Sequence, residues 1–435
     1  MPPFDSSNSS QSDSPQQSKR LADILKPSTC PACAHHVAVP FYDGGRQPLT
    51  TLAWPLSTAE ARTMKRLPLS FVRCVDCGHV YNQDFHYDEV PYSEKPNLMF
   101  NQGILWKEHL NTVCELILKR LPANPVVIEI GCGEGHLLRA LAKARPEGRY
   151  VGFDPNGTIE TQGGLIEAYN ELFLPEKHMG IYKPDMIISR HVLEHLMNPL
   201  GFVQTLSFTA GWLALDTQLF IEVPCIDRVF ETGRTADFFY EHNSNFTVTS
   251  LTRLLERCAL SVDDVQTSYD NEVVFGLAQL GLNTTQKAIT QEALAFQAQY
   301  TTSFHNIQKN LDMLHQTGQA FAIWGGTGKA SAFINQYHLD AERFPLVVDS
   351  DPDKVGTYVP GMGQRIESVS ILVETPVDTI IIATQWRAND IILEMQAKGI
   401  RAESILIEYK GHLIDCMKDP NPYIKQSTLS ALSYS

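Results

Sequence analysis

The sequence predicts an α/β protein with two doubly wound, mostly parallel sheets and a small N-terminal module organised by cysteines. Three observations predict it. Apolar β-rich runs alternate with helical stretches from 126 to 223 and again from 320 to 409. Each alternation opens on a glycine-rich turn, and two Cys-x-x-Cys pairs stand upstream of both. Such alternation implies parallel strands joined by crossover helices.

The chain has 435 residues, enough for about three domains of roughly 150 residues. Its 43% apolar and 19% charged content leaves ample material for buried cores. A formal charge of −14 argues against nucleic acid and anionic membranes as partners, since both recruit basic surfaces. There is no apolar run of about 18 residues and no basic-then-apolar leader at the start. The expected location is therefore cytoplasmic. Nine cysteines, an odd number, favour thiols and metal over a disulfide framework. The sequence carries no signal for oligomeric state.

Residues 1–27, rich in Ser, Gln and Pro, predict a disordered tail, because they bury too little to offset the entropy of ordering. Residues 28–97 hold the cysteine pairs and read as a four-cysteine module. The first alternation occupies 98–285. Residues 286–318, rich in Gln, Ala and Leu and lacking proline, read as a helical connector. The second alternation fills 319–418, and 419–435 reads as a flexible tail.

"CPAC" at 30–33 and "CVDCG" at 74–78 can direct two thiolates each at one ion. Cys30, Cys33, Cys74 and Cys77 would close a tetrahedral structural zinc site with no open position for water; a redox role is the competing reading. His79 reads as a surface histidine or a spare ligand.

"VVIEIGCGEGHLLRAL" runs from a β-stretch containing Glu129 through Gly131, Gly133 and Gly135 into a helix. Such glycines let a ligand approach the backbone at a helix N-terminus. Asp154 ends the next strand, where a ribose-binding acid belongs, a feature dinucleotide folds share. The acid before the glycines and the later "IISRHVLEHLMNP" (187–199) decide between the two: this block resembles the class I S-adenosylmethionine (SAM) methyltransferases. The resemblance implies that Glu129, Gly131, Gly133 and Gly135 flank SAM, that Asp154 holds its ribose, and that Arg190 and His191 sit over it. His195 would share a face with His191 if this stretch is helical. It reads either as a pocket residue or as a buried histidine bonded to backbone.

"AFAIWGGTGKASAF" and "FPLVVDSDPDKVGTYVPG" repeat the pattern with Lys329 and Asp349. Alone, this could be an NAD site or a degenerate phosphate loop; it lacks the spacing of a P-loop. The order of parts says more. Four-cysteine module, SAM domain with "YEHNSNF", and Rossmann-like C-terminal domain together resemble the nucleotide-sugar C-methyltransferases, over about residues 28–415. The resemblance implies a small-molecule substrate, a nucleotide-linked ketosugar.

Methyl transfer to carbon needs an enolate, and so a base, a donor for the enolate oxygen, and exclusion of water. "FFYEHNSNF" offers His242 as the base, Glu241 to orient it or to bind sugar hydroxyls, and Tyr240 as a donor; the competing reading of His242 is that it only shapes the pocket. The family has Tyr-His-Glu-His here, so Phe239 and Tyr240 depart from it. A second departure is "YDNEVVFG" (269–276), where the family has His-Gly-Gly-Ser. Tyr92, in "VPYSEKPNLMFNQ" (90–102), lies where the family has a lid; a plain linker is the other reading. Lys329 could meet a substrate phosphate, or be a solvated lysine. Two readings compete with the carbon transfer: O- or N-methylation of a small metabolite, and a non-catalytic nucleotide-binding protein.

Overall fold

The computed structural model describes residues 24–92, 103–157, 159, 164, 166–425 and 428. Most of the two expected tails and most of the 90–102 segment lie outside the described residues. The chain forms two compact units, residues 1–287 and 288–435.

The first unit begins with the antiparallel sheet of the cysteine module. Its strands are β1 (Lys26–Pro27), β2 (Val37–Gln47), β3 (Leu67–Cys74) and β4 (Val80–Asn82). The module is not self-contained. A later strand, β10 (Ser244–Asn245), pairs with β4 at its edge, and Phe238 and Tyr240 complete its core beside Leu69, Phe71 and Phe85. The reason is size: so short a segment cannot cover its own apolar face, and the aromatic run before β10 supplies the missing surface.

The second sheet of this unit has seven strands in the order β11-β12-β9-β8-β5-β6-β7. These are β5 (Val126–Ile130), β6 (Arg149–Phe153), β7 (Ile166–Tyr169), β8 (Met186–Arg190), β9 (Gln218–Pro224), β11 (Ser261–Ser268) and β12 (Val273–Gln279). β5 to β9 are parallel, and β12 and β11 close the edge antiparallel. The central strands are apolar on both faces: Ile128, Ile187 and Ile221 on one and Val127, Ile188 and Phe220 on the other are fully buried, as a sheet covered by helices on each side requires. Strand order reverses between β5 and β8, which opens a crevice at their C-terminal ends.

The helix Thr284–Gln316 leads into the second unit. There six strands run in the order β15-β14-β13-β16-β17-β18, with β13 (Phe321–Trp324), β14 (Val347–Asp349), β15 (Ile366–Ser368), β16 (Thr379–Ile382), β17 (Ser404–Tyr409) and β18 (His412–Asp415). All pair in parallel except β18. This is a second Rossmann-like sheet.

Of the flexible tail expected from 419, the described residues Lys425 and Thr428 are held in place. Asn389 Oδ1 accepts from the Lys425 amide at 3.0 Å and from the Thr428 hydroxyl at 2.9 Å, and Ile424 is buried against the same core. No described helix is long and apolar enough to cross a membrane.

Candidate active site and metal centre

The four cysteines converge. All are buried, and their sulfurs lie within 4.8 Å of one another, with Cys30 and Cys77 at 3.7 Å and Cys33 and Cys74 at 3.5 Å. A tetrahedral ion with bonds of ~2.3 Å to sulfur sets its ligands about 3.8 Å apart, so the cluster fits zinc. Two knuckles aim it. The Ala34 amide donates to the Cys30 carbonyl at 2.8 Å, and the Gly78 amide to the Cys74 carbonyl at 3.1 Å. Gly78 has φ of +77°, which its lack of a side chain permits. His79 is fully buried between Tyr81 and Phe246 rather than on the surface, and it is not one of the clustered ligands.

At the C-terminal ends of β5, β6 and β8 the expected cofactor residues meet. Gly131 has φ of +70°, and a Cβ there would come within 2.3 Å of Val192, so the turn admits only glycine. Asp154, at the end of β6, accepts the Gly133 amide on Oδ2 at 2.9 Å and the Asn156 amide on Oδ1 at 2.9 Å. Glu129 is 3% exposed, and its Oε2 has no hydrogen-bond partner. Burial pushes its pKa up to about 7. A buried carboxylate oxygen without a donor, next to a glycine turn, fits an incoming ammonium group such as that of SAM.

Arg190 and His191 end β8 and gather on Glu222 of β9. Glu222 is fully buried; its Oε1 accepts from Arg190 Nε at 2.9 Å and Nη2 at 2.7 Å, and His191 Nε2 lies 3.3 Å away. Its Oε2 pairs with His109 Nε2 at 2.9 Å, and the other nitrogen of His109 meets Ser268 Oγ at 2.9 Å. Burial opposes ionisation of Glu222, but Arg190 and the two histidines outweigh it and hold its pKa well down. Trp106 packs near His191, His109 and Tyr269. The backbone from Tyr269 to Asn271 turns through positive φ to place that ring.

A second group of side chains adjoins this one. His191 Nδ1 lies 3.5 Å from Glu194 Oε1. His195 Nδ1 is 2.8 Å from the Glu241 carbonyl, which only accepts, so Nδ1 carries the hydrogen in that bond. The Tyr92 hydroxyl donates to the same carbonyl and lies 3.1 Å from His195 Nδ1. The rings of His195 and His242 stand 5.0 Å apart, edge to face, and Phe239 packs on His242 at 4.1 Å. Asn156 donates to the Tyr92 carbonyl, which ties the ribose turn to this group.

Two family models match the chain in succession: a methyltransferase domain over 106–265 and a C-methyltransferase C-terminal domain over 278–409. The chain is 23% identical over 380 residues to the C-methyltransferase NovU of Streptomyces niveus, covering 78% of this chain and 86% of that protein. The chain is a SAM-dependent C-methyltransferase. Among solved structures, a putative methyltransferase from Bacillus halodurans is 14% identical and covers 40% of this chain and all of its own, with a TM-score of 0.31. Magnesium protoporphyrin IX methyltransferase from Synechocystis, solved with bound SAH, is 15% identical, covers 42% of this chain and 90% of its own, and has a TM-score of 0.32.

In this C-methyltransferase three sequence expectations change. Glu241 does not orient His242. Its Oε1 instead accepts the amides of Thr50, Thr51 and Leu52 at 2.7, 2.7 and 3.3 Å, capping a loop of the cysteine module. Tyr240 turns its hydroxyl toward the cysteine module. It is fully buried, it packs on Phe85, and its hydroxyl accepts the His86 amide at 2.8 Å. His191 and His195 do not share a helix face, since His191 has φ of +51° and Leu193–His195 is a single 3-10 turn.

His242 also differs from the near-neutral base expected. Burial first, then the neighbouring His195, press its pKa well below the ordinary imidazole value. The nearby Glu194 carboxylate counters this only in part. In the second unit, Asp349 accepts the Gly326 amide at 3.2 Å and the Asp351 amide at 3.0 Å, while Lys329 is exposed at the start of the next helix. Glu222, His109 and Glu194 were missed in the sequence. A lone acid inside the apolar strand "LFIEV" was the available signal for Glu222.

Proposed function

We propose that the enzyme transfers the SAM methyl group to a carbon of a nucleotide-linked ketosugar, through an enolate formed by a histidine base. The observation that carries this reading is the His195–His242 pair beside Tyr92, linked to the cofactor turn through Asn156 and through His191–Glu194. SAM is only an electrophile. The substrate must therefore become a carbanion equivalent, which a carbon beside a ketone does on losing a proton.

His242 is the residue to take that proton, because its imidazole stands beside the His195–Tyr92 group that Asn156 ties to the cofactor turn. Phe239 packs on its ring at 4.1 Å, and His195 stands edge to face with it at 5.0 Å. Zinc on the four cysteines has a structural role: it fixes the sheet that β10 joins, two residues after His242. Asp349 and Lys329 lie in a Rossmann-like unit whose acid and glycine turn suit the ribose and phosphate of a nucleotide.

The test is incubation with SAM and a panel of ketosugar nucleotides, with mass spectrometry to place the methyl group. A companion measurement follows solvent deuterium entering the substrate in the absence of SAM. Carbon methylation and His242-dependent exchange are expected, with His242→Ala slowing exchange by about 10²- to 10⁴-fold. Methylation that never occurs on a sugar carbon, or exchange that survives the substitution, would overturn it.

A further inference from the structure

Glu194 is 2% exposed, and its Oε2 has no hydrogen-bond partner. That oxygen's side chain is one of three that converge, for a ligand atom from each of Glu194, His195 and His242 lies within 4.8 Å of the other two. A buried carboxylate with an unused oxygen costs free energy unless something positive meets it. His191, 3.5 Å from Oε1, meets the other oxygen.

The surroundings are those of a metal site. A ligating imidazole ordinarily gives its second nitrogen to a carbonyl or carboxylate, which fixes its tautomer and aim. His195 makes this contact through Nδ1 to the Glu241 carbonyl, with the Tyr92 hydroxyl alongside. A ligating carboxylate is ordinarily held by its other oxygen, as Glu194 is. Two imidazoles and one carboxylate suit the transition divalent cations rather than magnesium or calcium, which prefer all-oxygen shells. His195 and His242 are half-buried, so the open side of the triad is reached along their edges.

We propose that Glu194, His195 and His242 form a second metal site, separate from the four cysteines, that takes a transition divalent cation such as Zn²⁺ or Co²⁺. Filling the site removes His242 from proton transfer, because its lone pair is committed to the ion. The cation is then a reversible inhibitor at the substrate ketone position. This second half rests on the proposed role of His242 as base; the binding site does not.

The test uses full-length protein with its cysteine site loaded with zinc, titrated with Co²⁺. One further equivalent is expected, with the weak visible absorption of nitrogen and oxygen ligation and without the strong near-ultraviolet bands of cobalt thiolate. Glu194→Gln should weaken it at least about tenfold, and His242→Gln, at a half-buried position, should do the same if the first variant folds poorly. Uptake of no extra cobalt, thiolate bands alone, or equal affinity in both variants and the parent would overturn the site. Methylation assayed over the same titration should fall with the occupancy. If cobalt binds with this signature and activity is untouched, the base assignment fails and the site stands. If no cobalt binds and His242→Gln still abolishes deuterium exchange, the site fails and the base assignment stands.

Discussion

The carboxylate of Glu222 lies 2.9 Å from the imidazole of His109, and both side chains are almost completely buried. One comes from the middle of the sheet and the other from the helix Ile104–Leu118. The pair joins that helix to the strand ends where Arg190 and His191 also lean on Glu222.

Glu222→Ala should therefore be among the most damaging single changes in the first unit. It leaves Arg190 buried without its partner, a loss of about 3–5 kcal/mol in comparable buried pairs. Denaturant unfolding should show it. Glu222→Gln keeps the shape and some hydrogen bonds, so it should fold better and instead weaken SAM binding measured by calorimetry.

Glu241→Gln should act on folding before chemistry. The three amides of the 50–52 loop point at one carboxylate oxygen, and hydrogen bonds to a charged group are worth about 1.5–3 kcal/mol each. The expected result is a lowered melting temperature with the deuterium exchange of the folded fraction retained. Loss of exchange at full stability, as expected of His242→Ala, would return Glu241 to the chemical step.

These assignments divide by how far apart in the chain the partners stand. The turn at Gly131 and Gly133 and the place of Asp154 after β6 were legible because a strand, a tight turn and a helix fix their offsets, and the backbone demands of such a turn show in residue type. The cysteine pairs were legible for the same reason. Glu241 was misread because its partners, Thr50 to Leu52, are about 190 residues upstream and reveal themselves only by backbone amides, which every residue has. Tyr240 was misread because a phenol packed in a core and a phenol in a pocket look alike in sequence. Glu194 stood next to a residue already singled out, yet its orphaned oxygen is a property of packing alone.

SAM affinity should rise as pH climbs towards 7. Glu129 has a folded pKa of about 7, raised from an ordinary 4.5 by burial, so over that window the folded apo protein holds a proton that the unfolded chain has lost. Apo stability therefore falls as pH rises from about 4.5 to 7. An ammonium group on the ligand favours the ionised carboxylate, so binding below 7 should release a proton. Calorimetry in buffers of different ionisation enthalpy reads this release directly. Glu129→Gln should bind SAM more weakly and with a flatter pH profile; an unchanged profile would mean that another group meets the ammonium.

Removing the metal from the cysteine module should disable a step to which it contributes no ligand. Cys77→Ser breaks the four-sulfur cluster, and with it the strand β4 that follows the second knuckle. β4 pairs with β10 at Tyr81–Ser244 and Val80–Asn245, and β10 starts two residues beyond His242. The same module holds Glu241 through the 50–52 loop. Zinc content by elemental analysis, melting temperature and His242-dependent deuterium exchange should thus fall together in this variant, while calorimetric SAM binding, built on β5, β6 and β8, should fall less. Exchange that persists in zinc-free, folded protein would show that the β10 segment keeps its place without the metal.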